Sequence, residues 1–224
     1  SVKYLSLTEC SKTNKMEYEL LLRILTPLVK LYTAKAAMHC VSECIECLGG
    51  IGYLETSGLP QNLRDAQVLP VWEGTTNILS LDVLRVLKHP KIGTKVMNVF
   101  QNRVKECCKN MGKNGQYITQ QMGLFQTFMN KYNKNIKILE MFARDISFTL
   151  SRIYAGSLLC EQYKHSKDKT DGITLQKFIN GSCQGTFFNG GKGLISESII
   201  MAINSFNYNN ESQNIKLLAS QSKL

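Results

Sequence analysis

Residues 69–87 read LPVWEGTTNILSLDVLRVL, and they place a carboxylate, Glu73, between a tryptophan and a glycine just ahead of an amphipathic segment. The second half of the stretch sets the local fold. Thr75 or Thr76 offers a capping hydroxyl, the apolar residues then recur at helical spacing to about Leu87, and His89-Pro90 closes the helix. The first half raises a question of chemistry. A glutamate after the apolar VLPV and beside Trp72 is expected to be partly desolvated, which strengthens a carboxylate as a base, and Gly74 leaves room beside it. A glutamate at the start of a helix also favours the helix dipole, and on this stretch alone that structural reading is the stronger of the two.

Outward from this stretch the chain reads as helix throughout. Upstream, Met16 to Leu25 forms one amphipathic segment, and Thr26-Pro27 supplies a cap and a first-turn proline for a second helix to about Leu48. Leu31, Ala34, Met38, Val41, Ile45 and Leu48 mark a core stripe on it, and Gly49-Gly50 ends it. From Ile51 to Thr75, glycines, prolines and mixed polarity indicate an ordered connection with one short turn around Leu63-Arg64-Asp65. Downstream, helices are expected over about 93–110, 115–132 and 136–165, then the connector KHSKDKTDG, a helix near 173–184, the Gly-rich FFNGGKGL and a last short helix. No strand alternation or repeat is evident. The expected architecture is all-α, a helical bundle over 1–88 followed by a second helical domain over 91–205, with 206–224 a polar tail.

The chain has 224 residues, 43% of them hydrophobic, enough for a sizeable core, and no run approaches the 18 or more apolar residues of a membrane span. The N-terminus SVKYLSLTEC is no basic-then-apolar signal peptide, and a start at Ser1 suggests that an N-terminal part of a longer protein is missing. The eight cysteines fall largely inside helical patterns, as reduced thiols do. Cys40, Cys44 and Cys47, with His39, invite a zinc site, but the same spacing is the small-residue face of a helix, and no metal is assigned. Residues 1–87 carry 8 Lys+Arg against 9 Asp+Glu, and residues 88–224 carry 19 against 8, so the second part, at +11, accounts for the net charge of +10. Such a balance attracts polyanions, although scattered lysines also describe an ordinary solvated face.

Three motifs in order, CLGGIGYLE, LRDA and VWEGTTNILSLDVLR, turn the reading of Glu73 from structural to chemical. Together they resemble the C-terminal helical domain of the acyl-CoA dehydrogenase family, over residues 16–88. The tryptophan before the glutamate and LRILTPLVK are similar to its AidB-type branch, which adds a C-terminal helical domain. The resemblance implies an oxidoreductase with FAD as cofactor and fatty acyl-CoA as substrate. Glu73 corresponds to the base that removes the α-proton as hydride leaves the β-carbon for flavin. Trp72 and Gly74 then lie against the acyl thioester, and Thr75 and Asn77 contact FAD, although the family more often has glutamine at position 77. Glu46, Gly49 and Gly50 match the turn that meets the adenine-nucleotide end of FAD, commonly in a neighbouring subunit, with Glu46 replacing the usual glutamine. Arg64 and Asp65 are expected to orient the loop beneath that turn. The family's flavin-covering domains would lie before Ser1, so the chain by itself is not expected to hold FAD or turn over, and the whole protein is expected to be a homo-oligomer, dimer or tetramer.

Two further readings stand beside this one. AidB-type proteins are associated with DNA, and Arg85 corresponds to an arginine implicated there; yet Asp82, three residues away on the same helix face, is a structural reason for an arginine at 85. A catalytically inactive homologue is the other. The terminus Ser222-Lys223-Leu224 is a C-terminal S-K-L, the address read by the peroxisomal import receptor, and it points to the peroxisome, where acyl-CoAs are oxidised.

Overall fold

A computed structural model describes residues 2–10, 13–181, 199 and 203. Among these residues there are helices and no strand: α1 (Val2–Cys10), α2 (Lys15–Cys47), α3 (Gly50–Tyr53), a 3-10 turn (Glu55–Ser57), α4 (Leu59–Val68), α5 (Thr76–Leu87), α6 (Gly93–Cys108), α7 (Gly112–Lys131), α8 (Ile136–Met141), α9 (Ala143–Ser166) and α10 (Lys169–Ile179). The FFNGGKGL segment and the polar tail with its S-K-L lie outside the described residues.

α2 and α9 are the two organising helices. α2 packs on α1, α4, α5, α6 and α9, while α9 packs on α5, α6, α7 and α10 as well. Ile24 and Leu28 of α2, Phe100 of α6, Phe125 of α7 and Ile153 of α9 are almost wholly buried in one shared cluster. The segments on either side of Pro90 therefore share a core. α9 is enclosed on most sides, and its small polar residues make that tolerable. Ser147 donates to the Ala143 carbonyl at 2.8 Å, Ser151 to Ser147 at 2.9 Å and Ser157 to Tyr154 at 2.8 Å, so no hydroxyl is buried unpaired and neighbouring helices can approach closely.

Several expected boundaries move. Thr26-Pro27 does not start a helix; α2 runs on through it for 33 residues. An interior proline removes one backbone bond at roughly 3 kcal/mol. Here Ile24, Leu25, Leu28 and Leu31, buried on both sides of it, outweigh that cost, and Thr26 back-bonds to the Leu22 carbonyl at 2.7 Å instead of capping. The region read as a connection with one turn contains a ten-residue helix, α4, with proline in its first turn and Gly58 in the left-handed conformation (φ 74°) before it. The long helix expected over 136–165 is two: α8, capped by Asn135, which accepts from the Ile138 amide at 3.2 Å, and α9. The polar run KHSKDKTDG is no long connector. α9 continues to Ser166, only Lys167 and Asp168 intervene, and Asp168 caps α10 by accepting from the Thr170 amide at 2.6 Å.

The core stripe of α2 is real only at its beginning. Leu31 and Ala34 are buried, Met38, Val41 and Ile45 are half-buried, and Leu48 is 56% exposed. Cys40, Cys44 and Cys47 are exposed thiols on the same stretch, not buried ones, and among the described residues no cluster suited to a metal is formed. Across the described residues no helix is long and apolar enough to cross a membrane.

Candidate functional site: the Glu73 turn

α4 ends in a tight turn, with the Val71 and Trp72 amides both returning to the Val68 carbonyl at 2.9 and 3.1 Å. The chain then takes two successive left-handed steps, Glu73 at φ 54° and Gly74 at φ 106°, before Thr75 (φ −68°, ψ 163°) enters α5. A glutamate in the left-handed region costs roughly 1–2 kcal/mol, and such strain persists where its surroundings over-determine it. The determinant is Lys30 of α2. Its Nζ donates to the carbonyl of Trp72 at 2.7 Å and to that of Gly74 at 2.6 Å, one on the residue before Glu73 and one on the residue after it. Gly74 is required twice over, since φ 106° disfavours any side chain and a Cβ there would stand 3.3 Å from Leu79 Cδ2.

The expected desolvation of Glu73 is not what the described residues provide. Glu73 is exposed, Trp72 is 54% exposed and Val71 61%. The reason is geometric: Lys30 holds the turn by its backbone, from beneath, and the side chains of 71–73 are left facing outward. Thr75 occupies the N-cap position of α5 but makes no side-chain cap bond, so the first-turn amides of α5 have no side-chain partner. Asn77 is exposed, and its Oδ1 accepts from Arg144 Nη1 of α9 at 3.2 Å; the Arg144 guanidinium also lies over the Phe148 ring at 5.4 Å.

Glu46, Gly49 and Gly50 form a separate place at the far end of α2. Gly49 takes φ 57°, and Gly52 lets α3 fold back on α2, since a Cβ there would sit 2.4 Å from the Ile45 carbonyl oxygen. Sixteen residues of helix separate Lys30 from Glu46, about 24 Å at 1.5 Å per residue. Residues 72–77 are thus brought together, and residues 46–50 are not brought to them. Arg64 donates to both oxygens of Glu55 at 3.0 and 3.1 Å, tying α4 to the 3-10 turn below Gly49–Tyr53, and these hydrogen bonds hold the Glu55 carboxyl below its ordinary value. Arg85, 74% exposed, donates to Asp82 at 3.1 Å, and Asp82 is also bound bidentately by Arg23 of α2 at 2.7 and 2.9 Å. The Arg23 hydrogen bonds are the chief reason that Asp82 sits below the usual carboxylate range.

Lys30 and Arg144 are the residues sequence reasoning missed. A signal for Lys30 existed: Pro27 and Ala34, three before and four after it, are both apolar and lie on the core side, so a lysine between them cannot stand on a fully solvated face. Arg144 gave none, because its partner Asn77 is 67 residues away in sequence.

Matches to family models assign this all-α scaffold to a class, the C-terminal helical domain of acyl-CoA dehydrogenases, and the chain belongs to the acyl-CoA dehydrogenase family. Residues 4–88 match "Acyl-CoA dehydrogenase, C-terminal domain", and residues 95–184 match "Acyl-CoA dehydrogenase 11 C-terminal domain-like". Among its relatives, acyl-CoA dehydrogenase family member 11 of Caenorhabditis elegans is 37% identical over 181 residues, 76% of this chain and 28% of the relative. AidB of Escherichia coli is 51% identical over 65 residues, 29% of this chain and 12% of that protein. The crystal structure of Caenorhabditis elegans ACDH-11 in complex with C11-CoA superposes with a TM-score of 0.72 at 32% identity, covering 93% of this chain and 37% of that one. The chain therefore spans well under half the length of these relatives.

Proposed function

We propose that the chain is the C-terminal part of a flavin-dependent dehydrogenase that introduces an α,β double bond into fatty acyl-CoA thioesters, with Glu73 as the base. The observation that carries this reading is the conformation of the turn: a non-glycine residue is held left-handed by a dedicated lysine, and the residue so held is a carboxylate without an ion-pair partner among the described residues. The resemblance to a structure whose bound molecule is an acyl-CoA supports the substrate class. Glu73 takes the α-proton onto a carboxylate oxygen, and Gly74, with no side chain, lets the thioester lie against the turn.

FAD is the cofactor this reading requires, and it supplies the hydride acceptor when bound. The residues present suit it. The uncapped first-turn amides of α5, with the exposed Thr75 and Asn77, offer donors and the positive end of a helix dipole to a polar, anionic molecule. Gly49 and Gly50 have open space where a Cβ would be, as a close backbone approach demands. The separation of the two sets along α2 supports a homo-oligomer in which one copy contributes residues 46–50 and another residues 72–77. The S-K-L terminus supports a peroxisomal address, to be tested by fusing a fluorescent protein to the N-terminus. Peroxisomal puncta that disperse on deletion of Leu224 are expected, and diffuse signal from the intact fusion would refute the address.

The function is tested with Glu73→Gln in the whole protein, mixed anaerobically with a saturated acyl-CoA. The amide keeps the shape and loses the basicity, so flavin content should stay at the wild-type level while flavin bleaching slows by about 10²- to 10⁴-fold. Bleaching at the wild-type rate would end the assignment.

A further inference from the structure

We infer that Lys30 is a positioning residue for Glu73, acting through the backbone carbonyls of the residues before and after it; this rests on the reading of Glu73 as the base. Lys30 is not drawn to the glutamate it neighbours. Among the described residues it forms no ion pair with a carboxylate, and its two hydrogen bonds, 2.7 and 2.6 Å, both go to backbone carbonyls. An ammonium bonded to neutral carbonyls is an unusual use of charge on a half-buried helix face, and bonds to a charged donor are about twice as strong as neutral ones.

The geometry gives the reason. The left-handed steps at Glu73 and Gly74 bring the carbonyls of Trp72 and Gly74 within hydrogen-bond reach of one ammonium, so that two oxygen dipoles of like sign converge on it. A cation at that point turns their repulsion into attraction, and so offsets the local strain at Glu73. The Trp72 carbonyl belongs to the peptide that enters Glu73 and the Gly74 carbonyl to the peptide that leaves Gly74, so Lys30 pins both ends of the left-handed pair and with them the direction in which the Glu73 side chain leaves the backbone. Lys30 itself stands on an anchored stretch of helix, because Pro27, Leu28, Leu31 and Ala34 around it on α2 are buried. The rigid core of the bundle thereby sets the aim of a side chain that is otherwise exposed. Removing the ammonium leaves the carboxylate its chemistry and takes away its aim, and a displacement near 1 Å can cost about 10²-fold in rate.

The test uses the whole flavin-loaded protein and four variants: Lys30→Met, Lys30→Arg, Glu73→Gln and the double variant Lys30→Met/Glu73→Gln. In Lys30→Met, kcat should fall by about 10²-fold with KM within about twofold and flavin content unchanged, the signature of an interaction needed in the transition state. Amide hydrogen exchange in the peptide covering residues 69–79 should quicken in the same variant. Lys30→Arg, which retains a charged group with two donors, should recover at least about tenfold of the loss. Adding Lys30→Met to Glu73→Gln should cost nothing further, since the aim of a group that cannot accept the proton is immaterial. Wild-type kcat in Lys30→Met alongside an inactive Glu73→Gln would overturn this inference and leave the base standing. A loss that multiplies in the double variant, unchanged exchange over 69–79, or flavin lost in proportion to kcat would make Lys30 an ordinary structural cross-link and overturn it also. Wild-type turnover in Glu73→Gln would overturn the base itself and this inference with it.

Discussion

Two cations, Arg103 in α6 and Lys30 in α2, each gather two or more acceptors from distant parts of the chain, and they do so to opposite ends. Arg103 is 12% exposed. It donates to the Tyr4 hydroxyl at 2.8 Å, to Glu106 at 3.1 Å and to both oxygens of Glu161 at 2.8 and 2.6 Å, while the Tyr154 hydroxyl donates to that of Tyr4 at 3.1 Å. Burial would raise the Glu161 carboxyl, but the Arg103 hydrogen bonds and charge overcome it and hold it below its ordinary value. Burial also pushes the neighbouring Cys107 thiol up to about 11, so it stays protonated at neutral pH. This cluster joins α1, α6 and α9 with standard backbone throughout. At Lys30 the backbone is strained, the acceptors are peptide carbonyls, and the nearby carboxylate has no ion-pair partner among the described residues. Where the cation takes the carboxylate, the product is stability; where it takes the backbone, the carboxylate remains available for chemistry.

That contrast can be broken at several points, and unfolding in urea is the common measure. Phe100, fully buried with its ring 5.4 Å from that of Tyr154, should cost about 3–5 kcal/mol as Phe100→Ala. Trp72→Ala, at the exposed turn, should stay within about 0.5 kcal/mol although the residue is as large. Glu161→Leu leaves the Arg103 charge largely buried without its main partner and should destabilise by about 3 kcal/mol. Glu73→Leu should not destabilise measurably, and equal losses in the two would erase the distinction drawn above.

A smaller effect has the opposite sign. Glu73→Gly, at φ 54°, relieves left-handed strain and should raise stability by about 1 kcal/mol while abolishing turnover. The smallest effect is the pH dependence. Asp82 and Glu161 both have depressed values in the folded state, so each contributes stability that is fully present above its unfolded value near pH 4 and is lost as pH falls through the folded value. The urea midpoint should therefore drop as pH is lowered from about 5 to about 3, and the drop should be shallower in Glu161→Leu.

The order of helices was readable because apolar spacing survives wherever a helix is half-buried, as in α5, α6 and α7. Reading failed where packing overrides local preference. Pro27 looks like a helix start, yet the buried residues on either side of it keep α2 continuous. α4 was hidden because the glycines and Pro60 around its start read as a connection, although Leu59, Leu63 and Ala66 recur at helical spacing, and because it buries only Ala66. Of the candidate site, the turn through Glu73 and Gly74 and the start of α5 after Thr75 were legible from order and context. The left-handed backbone was not, since glutamate gives no sign of it, and although the spacing from Pro27 and Ala34 marks Lys30 as lying on the core side, its partners, 42 and 44 residues away, were not legible either. The exposure of Glu73 contradicts the desolvation inferred from its neighbours, because neighbours in sequence do not fix which way a turn faces.

The central claim is that Glu73 removes a proton, and that step can be watched alone. An acyl-CoA analogue with a heteroatom at the β-position keeps its α-protons and cannot give up hydride. The whole flavin-loaded protein is incubated with this analogue in deuterium oxide, and deuterium entering the α-position is followed by mass spectrometry. Wild-type protein should exchange the α-proton readily, and Glu73→Gln should slow exchange by about 10²-fold or more at unchanged flavin content. Exchange at the wild-type rate in Glu73→Gln would show that another group takes the proton and that the strained turn serves some other end.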